Sequence, residues 1–270
     1  MKNYAGPTDI MYHTGLSADM IRGAKYALVP GDPGRVEGLA KSLDENALFV
    51  ASHRDYTTWL ARVENAPVLV MSTGMGGPCV TFAVEELARL GVETFIRVGT
   101  TGSIQEDLHL GDVVINTASV RMDGASRAYA PIEFPAVADP DTVLALREAA
   151  EESGVPFKTG ISISTDSFWP GQERYDSFGG YVLKRLQGSL EDFRHIGCTN
   201  YEMENATLFT LCSVLGLKAA SICGVVAKRT DSESVASHDI YEKAEQRFQD
   251  VVKRALKKMI ARSRSGGNIS

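Results

Sequence analysis

The sequence is poor in cysteine, in net positive charge and in long apolar runs. Its 270 residues include four cysteines and no C-x-x-C pair, so neither a disulfide-stapled domain nor a zinc ribbon is expected. The formal net charge of −6 argues against a broad electropositive face for DNA, RNA or anionic lipid. No segment has the pattern of a signal peptide or a transmembrane helix. We therefore expect a cytoplasmic protein with reduced, buried thiols.

Composition and periodicity indicate one globular α/β domain. Hydrophobic residues make up 44% of the chain and charged residues 23%, values typical of a protein that buries a core. Short apolar runs with the pattern of strands buried on both faces occur at 26–30, 68–72, 95–98, 113–117 and 222–226. Helical patterns separate them, and the turn residues Glu64-Asn65 predict a hairpin. The expected fold is a single α/β domain over 1–270, with a mixed central β-sheet flanked by helices.

Three helices and a tail can be placed along this chain. One opens at Pro78 and stops at Gly91, and a second runs from near Asn200 to Leu215. The last has a single apolar stripe made of Ile240, Ala244, Phe248, Val251, Ala255 and Met259. Residues 262–270 have the composition of a frayed tail.

Two glycine-rich turns each follow a predicted strand and precede a helical pattern. The first, 31–35, can direct main-chain N–H groups at an anion with Arg35 beside them, although an ordinary strand-to-helix turn has the same composition. The second, 72–78, lies where open α/β sheets bind ligands. It lacks the third glycine of the dinucleotide fingerprint, so a nicotinamide dehydrogenase is not favoured.

An arginine within a buried-type strand is the most informative single residue. Arg97 is followed by Gly99, Thr100 and Thr101, and a guanidinium buried there requires an anionic partner. A small oxyanion bound by Arg97 and Thr100 satisfies that requirement. A structural ion pair with Glu93 or another carboxylate satisfies it equally well.

Taken together, these segments resemble the nucleoside phosphorylase family of the purine/uridine phosphorylase type. The motifs that carry the resemblance are Gly31-Asp32-Pro33 with Arg35, Ser52-His53-Arg54, Ser72-Thr73-Gly74 with Gly76-Gly77-Pro78, Arg97 with Gly99-Thr100-Thr101-Gly102, and Tyr201-Glu202-Met203-Glu204. The segment Phe168-Trp169-Pro170-Gly171-Gln172-Glu173-Arg174 is similar to the signature of the uridine phosphorylase branch. The resemblance extends from His13 to the final helix.

The resemblance implies reversible phosphorolysis of uridine to uracil and ribose 1-phosphate, in pyrimidine nucleoside salvage and catabolism. Deoxyuridine and thymidine are candidate further substrates. By resemblance, phosphate is bound by Gly31, Arg35, Arg97, Thr100 and a neighbouring subunit's Arg54. Ribose is bound by Thr100, Met203, Glu204 and a His13 donated across a dimer interface. The base is bound by Phe168, Gln172 and Arg174, with Glu202 and Arg229 in supporting positions. The catalytic set is therefore Arg97, Thr100, Gln172, Arg174 and Glu204.

The residues after the late strand also bear on which base is preferred, because they differ from those of purine-specific relatives. Purine-specific relatives carry an aspartate just after the corresponding late strand, whereas this chain has 227–230 there and its first acid, Asp231, comes later. If Gln172 and Arg174 belong to an extended segment, they point the same way and can meet the polar edge of a pyrimidine. A pyrimidine base is favoured.

The resemblance also bears on metals, cofactors and assembly. Cation-binding relatives have a glutamate and a serine where this chain has Asp55 and Cys79, which argues against a potassium ion near Asp55 because sulfur is a poor ligand for a hard cation. No cofactor is expected, since phosphate is a co-substrate. A homo-oligomer with shared active sites, a hexamer built from dimers, is implied, and neither nucleic acid nor membrane is an expected partner.

Two other functions stay open at this point. One is a related enzyme on the same fold, either a purine nucleoside phosphorylase or a nucleosidase that uses water. The other is a protein that binds a nucleoside or phosphate without turnover.

Overall fold

A computed structural model describes residues 2–232 and 234–266 of the chain. Ten strands are found in these ranges: β1 (Tyr26–Val29), β2 (Leu48–His53), β3 (Tyr56–Val63), β4 (Ala66–Met71), β5 (Thr94–Ser103), β6 (Val113–Met122), β7 (Ala136–Val137), β8 (Phe157–Thr165), β9 (Asn200–Glu202) and β10 (Lys218–Lys228). The helices of the same ranges are α1 (Ala18–Ile21), α2 (Val36–Leu43), α3 (Gly77–Arg89), α4 (Pro140–Ser153), α5 (Ser189–His195), α6 (Asn205–Leu215) and α7 (His238–Gly266). Short 3-10 helices cover Pro33–Arg35, Ala125–Ala128, Pro170–Gln172 and Lys184–Leu186.

All ten strands belong to one mixed sheet, which confirms the expected fold class. Its order is β10-β6-β8-β9-β5-β1-β4-β3-β2, with β7 beside β6. An additional parallel pairing of β10 with β5 closes β5, β10, β6, β8 and β9 into a ring. The pairings of β5 with β1 and β10 are parallel, whereas β9 runs antiparallel to β5. Strand β5 therefore lies where the ring and the rest of the sheet meet.

Helices cover both faces of the sheet around β5. Neighbouring residues of a strand point to opposite faces, and Phe95 and Ile96 accordingly belong to two separate apolar clusters. The cluster with Ile96 contains residues of α2, α4 and α7, and the cluster with Phe95 contains residues of α3 and α6. This burial on both faces explains why residues 95–98 of β5 are apolar except for Arg97.

Helices α3 and α6 approach each other closely because a glycine stands at the contact. A Cβ atom built on Gly77 would lie 2.3 Å from Thr207 Oγ1 and 3.1 Å from Ala125 Cβ. Any larger residue at this position would separate the two helices. The glycine-rich turn before α3 is thereby held against the N-terminal end of α6.

Most predicted elements are present, with two corrections. The hairpin at Glu64-Asn65 is confirmed, since β3 and β4 pair antiparallel and both turn residues have positive φ. The helix predicted from near Asn200 begins only at Asn205, because Asn200 and Tyr201 pair with β5 as a strand instead. The expected tail is also corrected over 262–266, where α7 continues to Gly266, and 267–270 lie outside the described residues.

Two further expectations concern thiols and membranes. The four cysteines are free thiols; Cys198, Cys212 and Cys223 are buried as expected, whereas Cys79 is partly exposed. Over residues 2–232 and 234–266, no helix is both long enough and apolar enough to cross a bilayer.

Candidate active site

The centre of the site is an ion pair between Arg97 of β5 and Glu204, which immediately precedes α6. Arg97 Nη2 lies 2.5 Å from Glu204 Oε2, and both side chains are buried. The guanidinium folds over Gly99, where a Cβ atom would lie 2.9 Å from Arg97 Cζ. Burial acts to lower the pKa of Arg97, but nearby Glu204, Cys223 and Glu202 together outweigh burial and raise that pKa. The arginine is therefore a permanent cation whose partner is Glu204 and not Glu93, which pairs with Lys25.

Glu204 also joins the second glycine-rich turn to this centre. Its Oε1 accepts a hydrogen bond of 2.7 Å from the backbone N–H of Gly76. Gly76 has φ +87, a left-handed conformation that a residue with a side chain rarely adopts. The turn and the arginine, 21 residues apart in the numbering, thus contact opposite oxygens of one carboxylate.

Glu202 fixes the position of Glu204 through hydrogen bonds to the backbone at the start of α6. One of its oxygens accepts hydrogen bonds of 2.7 Å from the backbone N–H groups of Glu204 and Asn205. Its other oxygen accepts from the hydroxyls of Ser162 and Ser164 on β8. Burial raises the pKa of Glu202, while Arg97, whose Nε lies 3.7 Å away, acts to lower it. Glu202 therefore connects β8, β9 and the start of α6 next to the Arg97–Glu204 pair.

The first glycine-rich turn packs directly on the second. The N–H of Gly74 donates to the carbonyl of Gly31 at 2.9 Å, and a Cβ on Gly31 would lie 3.2 Å from the carbonyl oxygen of Gly74. In the sheet, Val29 pairs with Arg97, and Gly31 follows it by two residues. The two turns and Arg97 are thus neighbours at the end of parallel strands. Thr100, further along β5, is partly exposed and pairs with Gly224 of β10.

Arg35, which the resemblance assigns to phosphate, contacts side chains of α7 in this structure. Its Nε lies 2.6 Å from Glu245 Oε1 of α7, and its Nη2 donates to the hydroxyl of Tyr241. Its Cζ lies 4.8 Å from the centre of the Tyr241 ring. The structure thus places Arg35 against α7, and Arg35 and Arg97 share no partner.

The base-binding segment is compact where the sequence analysis assumed an extended one. Gln172 ends the 3-10 helix Pro170–Gln172, and Glu173 has φ +53, so the spacing of two residues does not place Gln172 and Arg174 on one face. Both residues are buried nonetheless. Arg174 Cζ lies 4.3 Å from the centre of the Phe168 ring, and Arg229 donates from Nη1 to the carbonyl of Gln172 at 2.6 Å. The structure thus brings the three residues that the resemblance assigns to the base together with Arg229, which the resemblance gives a supporting position.

His13 and Arg54 lie at one edge of the molecule. His13 Nδ1 lies 2.7 Å from Glu86 Oε1, and the backbone N–H groups of His13 and Thr14 donate to the same carboxylate. Arg54 has φ +55 in the turn between β2 and β3, and its Cζ lies 5.0 Å from the ring of Tyr12. Over residues 2–232 and 234–266, the ion pairs of Arg97 are with Glu202 and Glu204, and neither His13 nor Arg54 is its partner.

Near Asp55 the structure places one carboxylate and one thiol beside the same glycine. Asp55 and Cys79 both flank Gly74, whose Cβ atom would lie 3.2 Å from Asp55 Cβ and 3.4 Å from Cys79 Sγ. Burial, followed by the charge of Asp55, raises the pKa of the Cys79 thiol, and a neutral thiol is a poor ligand for a hard cation. Across the described ranges, no cluster of three or more His, Cys, Asp or Glu side chains could hold a metal.

Several supporting residues escaped the sequence analysis. They are Glu86, Ser162, Ser164, Tyr241 and Glu245. The only signal for Glu86 was an acid on the otherwise apolar side of α3. The others lie in patterns that any strand or surface helix has, so their roles depend on tertiary packing.

Fold and site together define an α/β protein that holds a buried arginine and a carboxylate between two glycine-rich turns. The phosphorylase superfamily matches residues 25–260. The uridine phosphorylase of Escherichia coli is 46% identical over 250 residues, covering 93% of this chain and 98% of the relative. Those of Haemophilus influenzae and Thermococcus kodakarensis are 48% and 46% identical, covering 83% and 78% of this chain and 88% and 75% of the relatives. The chain belongs to the phosphorylase superfamily.

Proposed function

We propose that this chain catalyses the reversible phosphorolysis of uridine. The observation that carries the proposal is the buried Arg97–Glu204 pair, joined through Gly76 to the glycine-rich turns. This arrangement provides a cation and main-chain donors for an anion beside a carboxylate for a sugar. Relatives called uridine phosphorylases, similar over most of the chain, support the same activity.

The reaction requires a positive group for the phosphate and a negative group for the sugar at adjacent positions. An oxygen of hydrogen phosphate forms a bond to the anomeric carbon of the ribose while the bond from that carbon to N1 of uracil breaks. The electron pair leaves with uracil, which gains the proton that hydrogen phosphate loses. The sugar is cationic as the old bond breaks, and a buried carboxylate such as Glu204 stabilises that charge while it orients the hydroxyls.

Phosphate needs donors that orient it toward the sugar. In this proposal, Arg97 and Thr100 hold it from β5, the main chain of Gly31 and the side chain of Arg35 from the first turn, and Arg54 from a neighbouring subunit. Since Arg97 is already paired with Glu204, phosphate and ribose occupy adjacent positions along that pair.

The proposed assembly is a homo-oligomer, a hexamer built from dimers, in which His13 and Arg54 serve the site of a neighbouring subunit. Glu86 holds the imidazole of His13 in one orientation, which suits a residue that donates to a sugar hydroxyl of the neighbouring site. Met203 completes the ribose position.

A pyrimidine is the preferred base in this proposal. Gln172 offers both a donor and an acceptor, Arg174 stabilises the negative charge of the leaving base, and Phe168 packs against the ring. Asp231, the nearest counterpart of a purine-binding acid, has a largely exposed side chain 3.4 Å from Lys228 Nζ. A hydrogen bond from Thr230 lowers its pKa, so Asp231 is ionised and is a poor proton donor for a purine.

We further infer that phosphate is the only other small molecule the reaction needs, with no cofactor or metal, and that the enzyme acts in the cytoplasm in pyrimidine nucleoside salvage. Deoxyuridine and thymidine are proposed as additional substrates.

A panel of nucleosides, each incubated with and without phosphate, tests the proposal. We expect uracil release from uridine only in the presence of phosphate, and slower turnover of inosine. Faster cleavage of inosine would favour a purine phosphorylase, cleavage without phosphate a nucleosidase, and binding without turnover a non-catalytic protein.

A further inference from the structure

Two side chains of α7 hold Arg35 although they belong to none of the motifs discussed above. Glu245 Oε1 lies 2.6 Å from Arg35 Nε, and Tyr241 accepts a hydrogen bond from Nη2. The Arg35 and Glu245 side chains are only 12% and 23% exposed, so the pair is largely shielded from water. An ion pair of this kind is better defined than one between fully exposed side chains.

The two partners are arranged as one unit on the helix. Tyr241 and Glu245 are four residues apart, so they lie one above the other on the same face of α7. Ala244, the residue before Glu245 on this helix, is fully buried. A Cβ atom on Gly224 of β10 would lie 2.7 Å from Ala244 Cβ. Gly224 is in turn the sheet partner of Thr100. This turn of α7 is therefore anchored to the strand next to the proposed phosphate site.

The contacts occupy one edge of the guanidinium and spare the other. A guanidinium has five N–H donors in a rigid plane. Glu245 forms an ion pair at Nε without the geometry of a hydrogen bond, and Tyr241 accepts a hydrogen bond from Nη2. The group that remains for an anion is Nη1, together with the second hydrogen of Nη2. A guanidinium held by one edge presents the opposite edge in a fixed direction.

We propose that Tyr241 and Glu245 are positioning residues that fix Arg35 for phosphate. This inference rests on the proposed function, in which Arg35 binds the phosphate co-substrate. Neither residue touches substrate; each acts through Arg35. Loss of either leaves Arg35 present but free to adopt other rotamers, so phosphate affinity falls while the chemistry at Arg97 and Glu204 is unchanged.

Steady-state kinetics of the full-length protein, with phosphate and uridine varied independently, test this role. We expect Glu245→Ala to raise KM for phosphate about tenfold, a change of about 1.4 kcal/mol, with kcat and KM for uridine altered less than about twofold. Glu245→Gln keeps the size and one acceptor oxygen, and Tyr241→Phe removes only the hydroxyl, so each should raise KM for phosphate by less. These milder variants also answer the question if Glu245→Ala folds poorly.

A matched control is available one turn away on the same helix. Glu242 pairs with the exposed His238 at 3.1 Å, so Glu242→Gln makes the same change of charge without touching Arg35. Its KM for phosphate should equal that of the unmodified protein. An increase equal to that of Glu245→Gln would mean that the charge of α7 matters and not the contact.

A double-mutant cycle decides whether the effect passes through Arg35. Glu245→Ala should have no further effect on KM for phosphate when Arg35 is already alanine. The inference is overturned if the effect persists in that background, if KM for uridine rises in parallel, or if KM for phosphate falls, which would make Glu245 a competitor of phosphate. The proposed function fails separately, if the unmodified protein shows no phosphate-dependent cleavage of any nucleoside.

Discussion

Arg97 and Arg35 are both largely buried arginines paired with a glutamate, yet they are built into different parts of the fold. Arg97 belongs to a central strand, and its partner Glu204 is held by Gly76, by β9 and by the start of α6. Arg35 ends the short 3-10 helix Pro33–Arg35, and its partners both come from α7. We therefore expect loss of Arg97 to reduce both stability and the proposed turnover, and loss of Arg35 to change mainly the proposed binding of phosphate.

The largest effect is expected from Arg97→Ala, because it leaves Glu202 and Glu204 buried without their cation. Turnover should fall about 10²- to 10³-fold, and the free energy of unfolding should fall by about 3–5 kcal/mol. Stopped assays of uracil release measure the turnover, and urea denaturation measures the free energy of unfolding. Arg62→Ala, at an exposed position on β3, is the control and should change neither.

Glu202→Gln tests whether the central pair depends on the network beneath it. The amide retains one acceptor oxygen but loses the charge that receives the N–H groups of Glu204 and Asn205. We expect the free energy of unfolding to fall by about 1–3 kcal/mol and kcat to fall with it. An unchanged kcat would show that Glu204 is held without Glu202.

Arg35→Ala should separate the two arginines most clearly. KM for phosphate should rise by about tenfold or more, while the free energy of unfolding falls by only about 1 kcal/mol. Equal losses of stability in Arg35→Ala and Arg97→Ala, measured by the same urea titrations, would remove the distinction between the two sites.

The smallest effect is expected at Glu86 of α3, whose carboxylate accepts hydrogen bonds from the backbone N–H groups of His13 and Thr14. Burial acts to raise its pKa, but the two backbone N–H groups and the His13 ring outweigh this and leave the pKa below its ordinary value of 4.5. A lowered folded pKa contributes stability above the unfolded pKa, and that stability is lost as the pH falls through the folded value.

Thermal unfolding of the unmodified protein and of Glu86→Gln at a series of pH values checks this linkage. The difference in stability between the two proteins should be constant above about pH 5 and shrink below pH 4.5. A difference that does not change with pH would mean that the charge of Glu86 makes no contribution.

The sequence predicted what depends on local pattern and failed where a distant element decides. Runs buried on both faces located β1, β4, β5, β6 and β10, and the cost of burying Arg97 predicted the carboxylates that the structure places beside it. Asn200 and Tyr201 read as the start of a helix, but pairing with β5 makes them a strand. The α7 partners of Arg35 were out of reach, because Tyr241 is 206 residues away in sequence and its contact depends on how α7 packs on Gly224.

In the proposed mechanism, phosphate attacks the sugar at the Arg97–Glu204 pair. Incubation of the protein and uridine with phosphate labelled by ¹⁸O in all its oxygens, followed by mass spectrometry of the sugar product, tests it most directly. We expect ribose 1-phosphate that retains every labelled oxygen, including the one bonded to the anomeric carbon, and loss of this product in Arg97→Ala. Free ribose carrying oxygen from water, with no labelled sugar phosphate, would contradict it.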